Sequence, residues 1–271
     1  MTDFWENNRA LWDELTGIHA QSEFYALDAF RSGRSSLRSV EVEELGDLSG
    51  QSLLHLQCHF GLDTLSWARR GARVTGVDFS SRAIDLARSL SAELALPAHF
   101  VCSRIEDLPT SLSGSFDVVF TSYGVLCWLA DLRRWAEVIA HFLKPDGVFY
   151  IVEMHPLADI LADDAVSTNL RIAYPYFHSA EPMACPTSDG SYADRSRRAS
   201  QAVSYQWSHS LGEIVSVLIS ASLRIEYLHE FPFCPYARFP DMERDAEGWW
   251  RFPDPAPAVP QLFSLRASRS A

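Results

Sequence analysis

The chain has 271 residues, of which 47% are hydrophobic and 21% are charged. This length and composition predict one large globular domain with a sizeable core, and they exclude a disordered, collagen-like or low-complexity chain. The formal net charge of −12 repels phosphates and anionic lipids. Nucleic acid and a membrane surface are therefore not expected as partners.

The cysteines and the N-terminus bear on the compartment of the protein. The five cysteines are an odd number and include no C-x-x-C pair, which is typical of reduced thiols rather than of disulfides or a zinc site. The N-terminus has no basic stretch followed by an apolar one, and no apolar run approaches about 18 residues. We expect a cytoplasmic protein without a signal peptide or a membrane span.

Short apolar runs alternate with helical patterns between about residues 50 and 155. Strands are predicted at residues 52–56, 73–77, 98–101, 116–121 and 148–153, and helices at residues 61–70, 82–94 and 131–142. Residues 144–147 are expected to form a turn before the fifth strand. A strand that alternates with a helix five times predicts an α/β fold with a doubly wound parallel sheet.

The pattern changes after residue 208. Ser210 and Glu213 have the spacing of a capping box, which predicts a helix over residues 211–222. Strands are predicted at residues 223–231 and 262–267. Because no helix separates these two strands, we expect an antiparallel pair at the edge of the sheet.

Three further segments lack a clear strand or core-helix pattern. Residues 156–208 and 232–261 are rich in proline and aromatic side chains, and loops this long are usually functional lids or caps. Residues 4–15 have an amphipathic spacing. This N-terminal segment is expected to cover the ligand cleft, to dock on the flank of the sheet or to form a dimer contact, and the sequence leaves these alternatives open.

The loop after the first predicted strand reads QCHFG, from Gln57 to Gly61. Parallel sheets bind ligands at the carboxyl ends of their strands. A dinucleotide pyrophosphate needs a close approach to the backbone there, for which a G-x-G-x-x-G pattern is typical. The side chains of Gln57 and His59 would crowd a pyrophosphate, so the loop argues against NAD and FAD.

The second predicted strand ends in Asp78 and Phe79. An acid in this place can accept hydrogen bonds from ribose hydroxyls, and Phe79 can then lie against an adenine ring. The alternative is that Asp78 only caps the following helix. An adenosine ligand without phosphates, such as S-adenosylmethionine, satisfies both the loop and the acid.

Three longer segments carry a family signature: LLHLQCHFGLDTLSWARRGARVTGVDFS, FDVVFTSYGVLCWL and LKPDGVFYIVEMHP. They resemble the class I S-adenosylmethionine-dependent methyltransferases, and in particular a bacterial small-molecule branch whose first motif reads QCHFG. The resemblance implies a Rossmann-like sheet of seven strands, the last one antiparallel, in a single methyltransferase domain over residues 1–271. The expected parts are an N-terminal helical cap (1–48), a cofactor-binding core (49–156), an aromatic-rich lid insertion (157–208) and the C-terminal part of the sheet (209–271).

The resemblance also implies a set of cofactor-binding residues. These are Gln57, Cys58, His59 and Gly61 under the methionine part, Asp78 at the ribose, Phe79, Ile105 and Glu106 at the adenine, and Ser122 facing the sulfonium. Two residues depart from the family pattern. His55 stands where an acid is frequent, and Arg104 stands where an aspartate commonly binds the adenine amino group.

Methyl transfer from a sulfonium needs alignment and a dry pocket, and it needs a general base only if the acceptor carries a proton that must leave. The expected catalytic residues are His155, Glu153 and Tyr123. His155 titrates near neutral pH and is the expected base; the alternative is a histidine that hydrogen-bonds the backbone where the strand ends. Glu153 is expected to position other groups, and Tyr123 to face the sulfonium and the substrate.

Four aromatic residues are expected to bind the substrate: Tyr25, Trp128, His178 and Tyr205. Ordinary helix packing is the alternative for Trp128, and a surface or capping role is the alternative for His178. No metal is expected, because His55, His59 and His155 lack the fixed spacing of a histidine–carboxylate metal motif.

The sequence therefore predicts an enzyme that transfers a methyl group from S-adenosylmethionine to an oxygen or nitrogen atom of a small-molecule acceptor, such as a secondary metabolite or short peptide, and releases S-adenosylhomocysteine. It is expected to be a monomer or a homodimer. One alternative is a binding or regulatory protein that keeps the fold without catalysis. Another is a different reaction with the same cofactor.

Overall fold

The computed structural model describes residues 3–162, 170–188, 190–254 and 259–269. The strands are β1 (Ser52–Leu56), β2 (Arg73–Asp78), β3 (Ala98–Cys102), β4 (Phe116–Ser122), β5 (Leu143–Met154), β6 (Met183–Pro186), β7 (Val203–Gln206), β8 (Leu223–Phe231), β9 (Phe233–Cys234), β10 (Glu243–Arg244), β11 (Trp250–Arg251) and β12 (Leu262–Arg269). The helices are α1 (Phe4–His19), α2 (Leu27–Arg31), α3 (Ser39–Leu45), α4 (Leu62–Arg69), α5 (Ser81–Glu93), α6 (Leu108–Ser111), a 3-10 turn (Leu126–Trp128), α7 (Leu132–Phe142), α8 (Pro156–Asp159) and α9 (Leu211–Ser220).

Seven of the described strands form one mixed sheet in the order β3-β2-β1-β4-β5-β12-β8. Strands β1 to β5 pair in parallel, whereas β12 runs antiparallel to both β5 and β8. This topology confirms the predicted Rossmann-like sheet with an antiparallel last strand. None of the helices in the described ranges has the length and apolar character needed to cross a bilayer.

Helices cover both faces of the sheet, and this explains why the central strands are continuously apolar. Leu54 of β1 lies in a core cluster with Trp135 of α7 and Ile214 of α9. Its neighbour Leu53 points to the opposite face, into a cluster with Trp67 of α4. Adjacent residues of a strand therefore enter two different cores.

The predicted turn at residues 144–147 lies inside β5 rather than before it. Leu143 already pairs with Phe116, and the regular register resumes when Val148 pairs with Val118. The intervening residues bulge out of the ladder, with Asp146 in the left-handed region at a φ of 61°. The sequence therefore predicts the turn correctly, but the strand begins before the turn and not after it.

The two segments without a clear period contain short strands of their own. Residues 156–208 include the antiparallel hairpin β6–β7, and residues 232–261 include the three-stranded sheet β10-β11-β9. The sequence did not predict these strands or the short helix α3. Each strand has only two to four residues, which is too short for a periodic pattern to be visible.

Helix α1 connects the core to the β6–β7 hairpin. The carboxylate of Asp13 accepts hydrogen bonds from the hydroxyl of Ser80 at 2.6 Å and from the backbone N–H of Arg82 at 3.2 Å, at the start of α5. On the other side of α1, the buried amide of Asn8 donates to the carbonyl of Tyr205 at 2.7 Å and accepts from its N–H at 2.9 Å. The side chains of α1 thus hold the hairpin against the sheet.

We expect Asn8→Ala to lower the free energy of unfolding by about 2–4 kcal/mol, because it leaves both backbone groups of Tyr205 without their partners. Asn7→Ala is the matched control, since the half-buried Asn7 amide makes one bond, to the carbonyl of Val203 at 2.7 Å. Its expected cost is about 1 kcal/mol. Urea denaturation of both variants measures the difference, and equal costs would contradict the bridging role of Asn8.

Candidate active site

A cleft of about 1770 Å³ opens at the carboxyl ends of the parallel strands. It is lined by the loops after β1, β2, β4 and β5, by Trp12 of α1, by the segment around the β6–β7 hairpin and by residues of the three-stranded sheet. The cleft therefore lies where open parallel sheets bind their ligands.

The QCHFG loop has a backbone conformation that usually needs glycine. Gln57, His59 and Gly61 have φ values of 57°, 51° and 79°, and the first two are side-chain-bearing residues in the left-handed region. Non-glycine residues there cost about 1–2 kcal/mol each. The loop thus has the backbone conformation of a glycine-rich loop, although Gln57 and His59 occupy two of its positive-φ positions.

Hydrogen bonds to neighbouring strand ends hold this loop. The N–H of Cys58 donates to the carbonyl of Val77 at 2.9 Å, and the side-chain amide of Gln57 donates to the carbonyl of Val125 at 3.0 Å. The thiol of Cys58 is buried, and burial raises its pKa. Cys58 is therefore a neutral filler beneath the loop and not a thiolate.

Asp78 at the end of β2 completes the support of the loop. Its carboxylate accepts the N–H of His59 at 2.8 Å and the N–H of Ser80 at 2.9 Å. Burial raises the pKa of Asp78 to about 6. The cap of α5 is the hydroxyl of Ser80, which accepts from the N–H of Ala83 at 3.1 Å. Asp78 is thus not the side-chain cap of that helix, and it lines the cleft with lone pairs to spare.

Glu153 at the end of β5 fixes the loop after β4. Its carboxylate accepts the N–H groups of Gly124, of Val125 at 2.7 Å and of Leu126 at 3.1 Å. Burial raises the pKa of Glu153 to about 7. With its oxygens engaged by backbone donors, the side chain is built to position this loop.

Ser122 and Asp63 lie on the floor of the cleft beside His55. The hydroxyl of Ser122 donates to Asp63 at 3.1 Å, and the hydroxyl of Ser36 donates to the same carboxylate at 2.6 Å. Burial lowers the pKa of His55 to about 3, so this ring is neutral. It contacts the hydroxyl of Thr64 at 2.8 Å and belongs to the buried support of the loop.

Tyr123 lines the cleft at the end of β4 and is paired with an acid that the sequence did not single out. Its hydroxyl donates to Oε2 of Glu41 at 2.6 Å, while Oε1 of Glu41 accepts the N–H of Arg38 at 2.6 Å. Glu41 is fully buried, and burial raises its pKa to about 7. The pair is a tyrosine that reaches the cleft and a carboxylate behind it that can take up a proton.

His155 does not line the cleft. The ring is the N-cap of α8, and its Nδ1 accepts the N–H of Leu157 at 3.0 Å. Its Nε2 lies 2.8 Å from a carboxylate oxygen of Glu230 on β8. Because Nδ1 caps α8 and Nε2 faces Glu230 rather than the cleft, the geometry does not support the expected role of His155 as the base.

Four other expected site residues also lie off the cleft lining. Ile105 is buried in the core with Leu108, and Glu106 forms an ion pair with Arg104 at 3.4 Å. Two more belong to the lid segment: the ring of Tyr205 packs on Phe4 and the ring of His178 stacks on His209, with centroid separations of 4.7 and 5.0 Å. The side chains of the loop after β3 therefore do not reach the cleft.

The remaining aromatic candidates do line the cleft. Phe79 lies 6.2 Å from the ring of Trp5 on α1, and the indole of Trp128 donates to the carbonyl of Gly124 at 2.9 Å. The hydroxyl of Tyr25 bonds to that of Tyr192. The N-terminal helices, the loop after β4 and the segment around Tyr192 therefore form neighbouring walls of the cleft.

Trp12 of α1 lines the cleft, and the buried ring of His19 packs against Trp12 with a centroid separation of 5.9 Å. Neither was among the predicted site residues. The ring of Trp12 lies 5.3 Å from Trp128 and 5.2 Å from His59. His19 bonds through Nδ1 to His59 at 2.9 Å and through Nε2 to the hydroxyl of Ser191 at 2.6 Å. Burial lowers the pKa of His19 to about 3, so the two rings form a neutral link between the loop and the lid. The amphipathic spacing of residues 4–15 was the signal for this helix.

We expect Gly61→Ala to be more destabilising than Gly50→Ala, although both glycines have a positive φ, of 79° and 74°. A methyl group at position 61 would lie 2.7 Å from the ring of Phe100, whereas nothing lies within 4 Å at position 50. Backbone strain should lower the free energy of unfolding of both variants by about 1 kcal/mol. Overpacking should lower that of Gly61→Ala by a further 1–3 kcal/mol or so. Equal unfolding free energies would show that Phe100 does not confine the loop.

Part of the chain is similar to known proteins. Residues 54–151 match the family model described as "Methyltransferase domain". The "Ubiquinone biosynthesis O-methyltransferase" of Chromobacterium violaceum is 30% identical over 115 residues, 42% of this chain and 49% of that protein. Its counterpart in Bordetella avium is 28% identical over 170 residues, 62% of this chain and 68% of that protein. The chain thus matches about half the length of the first of these relatives and about two thirds of the second.

A solved S-adenosylmethionine dependent methyltransferase from Mesorhizobium loti has a similar fold. It superposes with a TM-score of 0.57 and 20% identity, covering 88% of this chain and 100% of that one. At this identity the match shows a shared fold. Residues 54–151 therefore match a methyltransferase domain, and the described chain has the fold of solved S-adenosylmethionine-dependent methyltransferases.

Proposed function

We propose that the protein transfers the methyl group of S-adenosylmethionine to an oxygen atom of a small aromatic acceptor. The observation that carries this proposal is the pairing of the buried Asp78 carboxylate with a glycine-type loop at the carboxyl ends of β1 and β2. Asp78 would accept the ribose hydroxyls, Phe79 would lie along the adenine, and the loop from Gln57 to Gly61 would hold the methionine part.

The polar groups around the loop fit such a ligand. Oε1 of Gln57, Nδ1 of His59 and Nε1 of Trp12 are buried and have no hydrogen-bond partner among the described residues, and all three side chains line the cleft. Asp63, Asp78 and Glu153 supply carboxyl groups at the same walls. When ionised, they favour a positive sulfonium and repel a diphosphate.

The walls beyond the loop support an aromatic acceptor. Large aromatic side chains dominate this part of the lining: Tyr25, Tyr123, Trp128, Tyr176, Tyr192, Trp207 and Tyr236. Rigid rings give a planar ligand wide contact at a low cost in side-chain entropy. The curated relatives are named as O-methyltransferases, which favours oxygen as the methylated atom.

Bound S-adenosylmethionine supplies a methyl group on a positive sulfur with a neutral leaving group, so the chain has only to orient the acceptor and receive its proton. We assign the second task to Tyr123 and Glu41. An acceptor hydroxyl gives its proton to the Tyr123 oxygen as the Tyr123 proton passes to Oε2 of Glu41, 2.6 Å away. The buried carboxylate is a suitable end point, because burial raises the pKa of Glu41 to about 7.

We expect Asp78→Asn to weaken binding of S-adenosylhomocysteine by about tenfold or more, because a hydrogen bond to a charged group is worth about 1.5–3 kcal/mol. Burial raises the pKa of Asp78 to about 6, so the carboxylate is lost as the pH falls through that value. Wild-type affinity should therefore decrease below about pH 6, and the variant should lose this dependence.

Isothermal titration calorimetry at several pH values measures both effects. Asp85→Asn is the control, since Asp85 is exposed on α5, outside the cleft lining, and pairs with Arg88 at 3.4 Å. Unchanged affinity in Asp78→Asn would place the ribose elsewhere. Absence of binding by the wild-type chain would contradict the proposed function as a whole.

We expect Tyr123→Phe to reduce turnover by about 10²–10⁴-fold, the usual contribution of a positioned acid or base, with little change in cofactor affinity. Wild-type turnover should rise with pH through about 7 as Glu41 ionises, and Glu41→Gln should abolish this rise. Release of S-adenosylhomocysteine from a panel of phenolic acceptors is the measurement.

Tyr150→Phe is the matched control for the proton-transfer pair. Its hydroxyl also donates to a glutamate, Glu44, at 2.7 Å, but Tyr150 does not line the cleft. Turnover that falls equally in Tyr123→Phe and Tyr150→Phe would assign both effects to stability. Unchanged turnover in Tyr123→Phe would remove Tyr123 from the mechanism.

A further inference from the structure

Three side chains that can bind a metal meet where the lid returns to the core. His209 immediately precedes the N-cap of α9, Glu213 lies in the first turn of that helix, and His178 comes from the lid insertion. One potential ligand atom from each residue lies within 4.8 Å of the others. The rings of His178 and His209 are stacked, with centroids 5.0 Å apart and planes at 13°.

The hydrogen bonds of His209 determine which nitrogen is free. Its Nε2 lies 2.8 Å from the carbonyl oxygen of Leu129. A carbonyl can only accept, so Nε2 carries the hydrogen and Nδ1 of the neutral ring has a lone pair. That lone pair faces Oε2 of Glu213 at 3.3 Å. Either a shared proton or a shared metal ion would relieve the contact between these two acceptors.

Two features of His209 are typical of a metal ligand: its distance from Glu213 and the hydrogen bond made by its other ring nitrogen. A tetrahedral zinc ion with bonds of 2.0–2.1 Å separates its ligand atoms by about 3.3 Å, which matches the distance between His209 and Glu213. Ligating histidines also typically donate their other N–H to a backbone carbonyl or a carboxylate, as His209 does to Leu129. The ring of His178 is exposed. Its potential ligand nitrogen lies within 4.8 Å of the ligand atoms of His209 and Glu213, so a small rotation would bring it to bonding distance of a shared ion.

The segment that carries His178 is held on both sides, by a bond to the first residue of α9 and by a bond to Trp207 just before this helix. The hydroxyl of Tyr176 accepts the N–H of Leu211 at 3.3 Å, and the carbonyl of Ala180 accepts the indole N–H of Trp207 at 3.4 Å. His178 lies between these two anchors. The fold therefore places His178 next to His209 and Glu213.

We propose that His178, His209 and Glu213 form a zinc site that fastens the lid insertion to the start of α9. Two neutral imidazoles and one carboxylate are a donor set that zinc prefers, and a water molecule would complete the tetrahedron. His209 also lines the cleft, so the ion would set the position of one cleft wall. The inference does not depend on methyl transfer.

Calorimetric titration of the untagged, chelator-treated chain with zinc chloride tests the site. We expect one ion per chain, with affinity at least about tenfold weaker in His178→Ala and in Glu213→Gln, since even outer partners of zinc ligands contribute 10–100-fold. His141→Ala on α7 is the control, because His141 is exposed and outside the cluster. Zinc should also raise the Tm of the wild type and not that of His178→Ala.

A cobalt(II) titration distinguishes this site from a cysteine site. The proposed site predicts a tetrahedral spectrum without thiolate charge transfer, unchanged in Cys102→Ser, which removes the exposed cysteine. Absence of zinc binding, equal affinity in His178→Ala and wild type, or a thiolate band would overturn the proposal. In the first case a proton, and not a metal, is shared by His209 and Glu213.

Discussion

The carboxylate of Asp78 is the interaction on which the cleft depends. It accepts the N–H groups of His59 and Ser80 and so joins the loop after β1 to the start of α5. That bond helps to keep Gln57 and His59 in the left-handed region, a conformation that neither side chain favours on its own. In the proposed function, this acid and the side-chain-bearing loop together would favour a nucleoside without phosphates.

Side chains at the positive-φ positions of the loop after β1 make contacts that glycine cannot make. His59 hydrogen-bonds to His19 of α1, and His19 in turn hydrogen-bonds to Ser191. Asp13 fastens the same helix to the start of α5. The N-terminal helix is thus the common neighbour of the loop after β1 and of the segment around Ser191. The zinc site proposed at His209 would add a second attachment for residues 157–208.

Much of the sheet could be predicted because its signals are local. Parallel strands buried on both faces are continuously apolar, and Ser210 marks the start of a helix in the sequence as it does in the structure. The placement of the loop after β1 and of Asp78 at the cleft also followed from the sequence, whereas their binding of a cofactor stays a prediction. The surroundings of His155 could not be predicted, because Glu230, which faces its Nε2, comes from a distant strand. Glu41 was missed for the same reason: only the folded chain brings it to Tyr123.

A crystal structure of the chain with S-adenosylhomocysteine is the decisive test of the role of Asp78. We expect the ribose hydroxyls within hydrogen-bonding distance of Asp78, with Gln57 and His59 still at positive φ beneath the amino-acid part of the ligand. A ligand bound elsewhere, or a loop that abandons the left-handed conformation when the ligand binds, would contradict it.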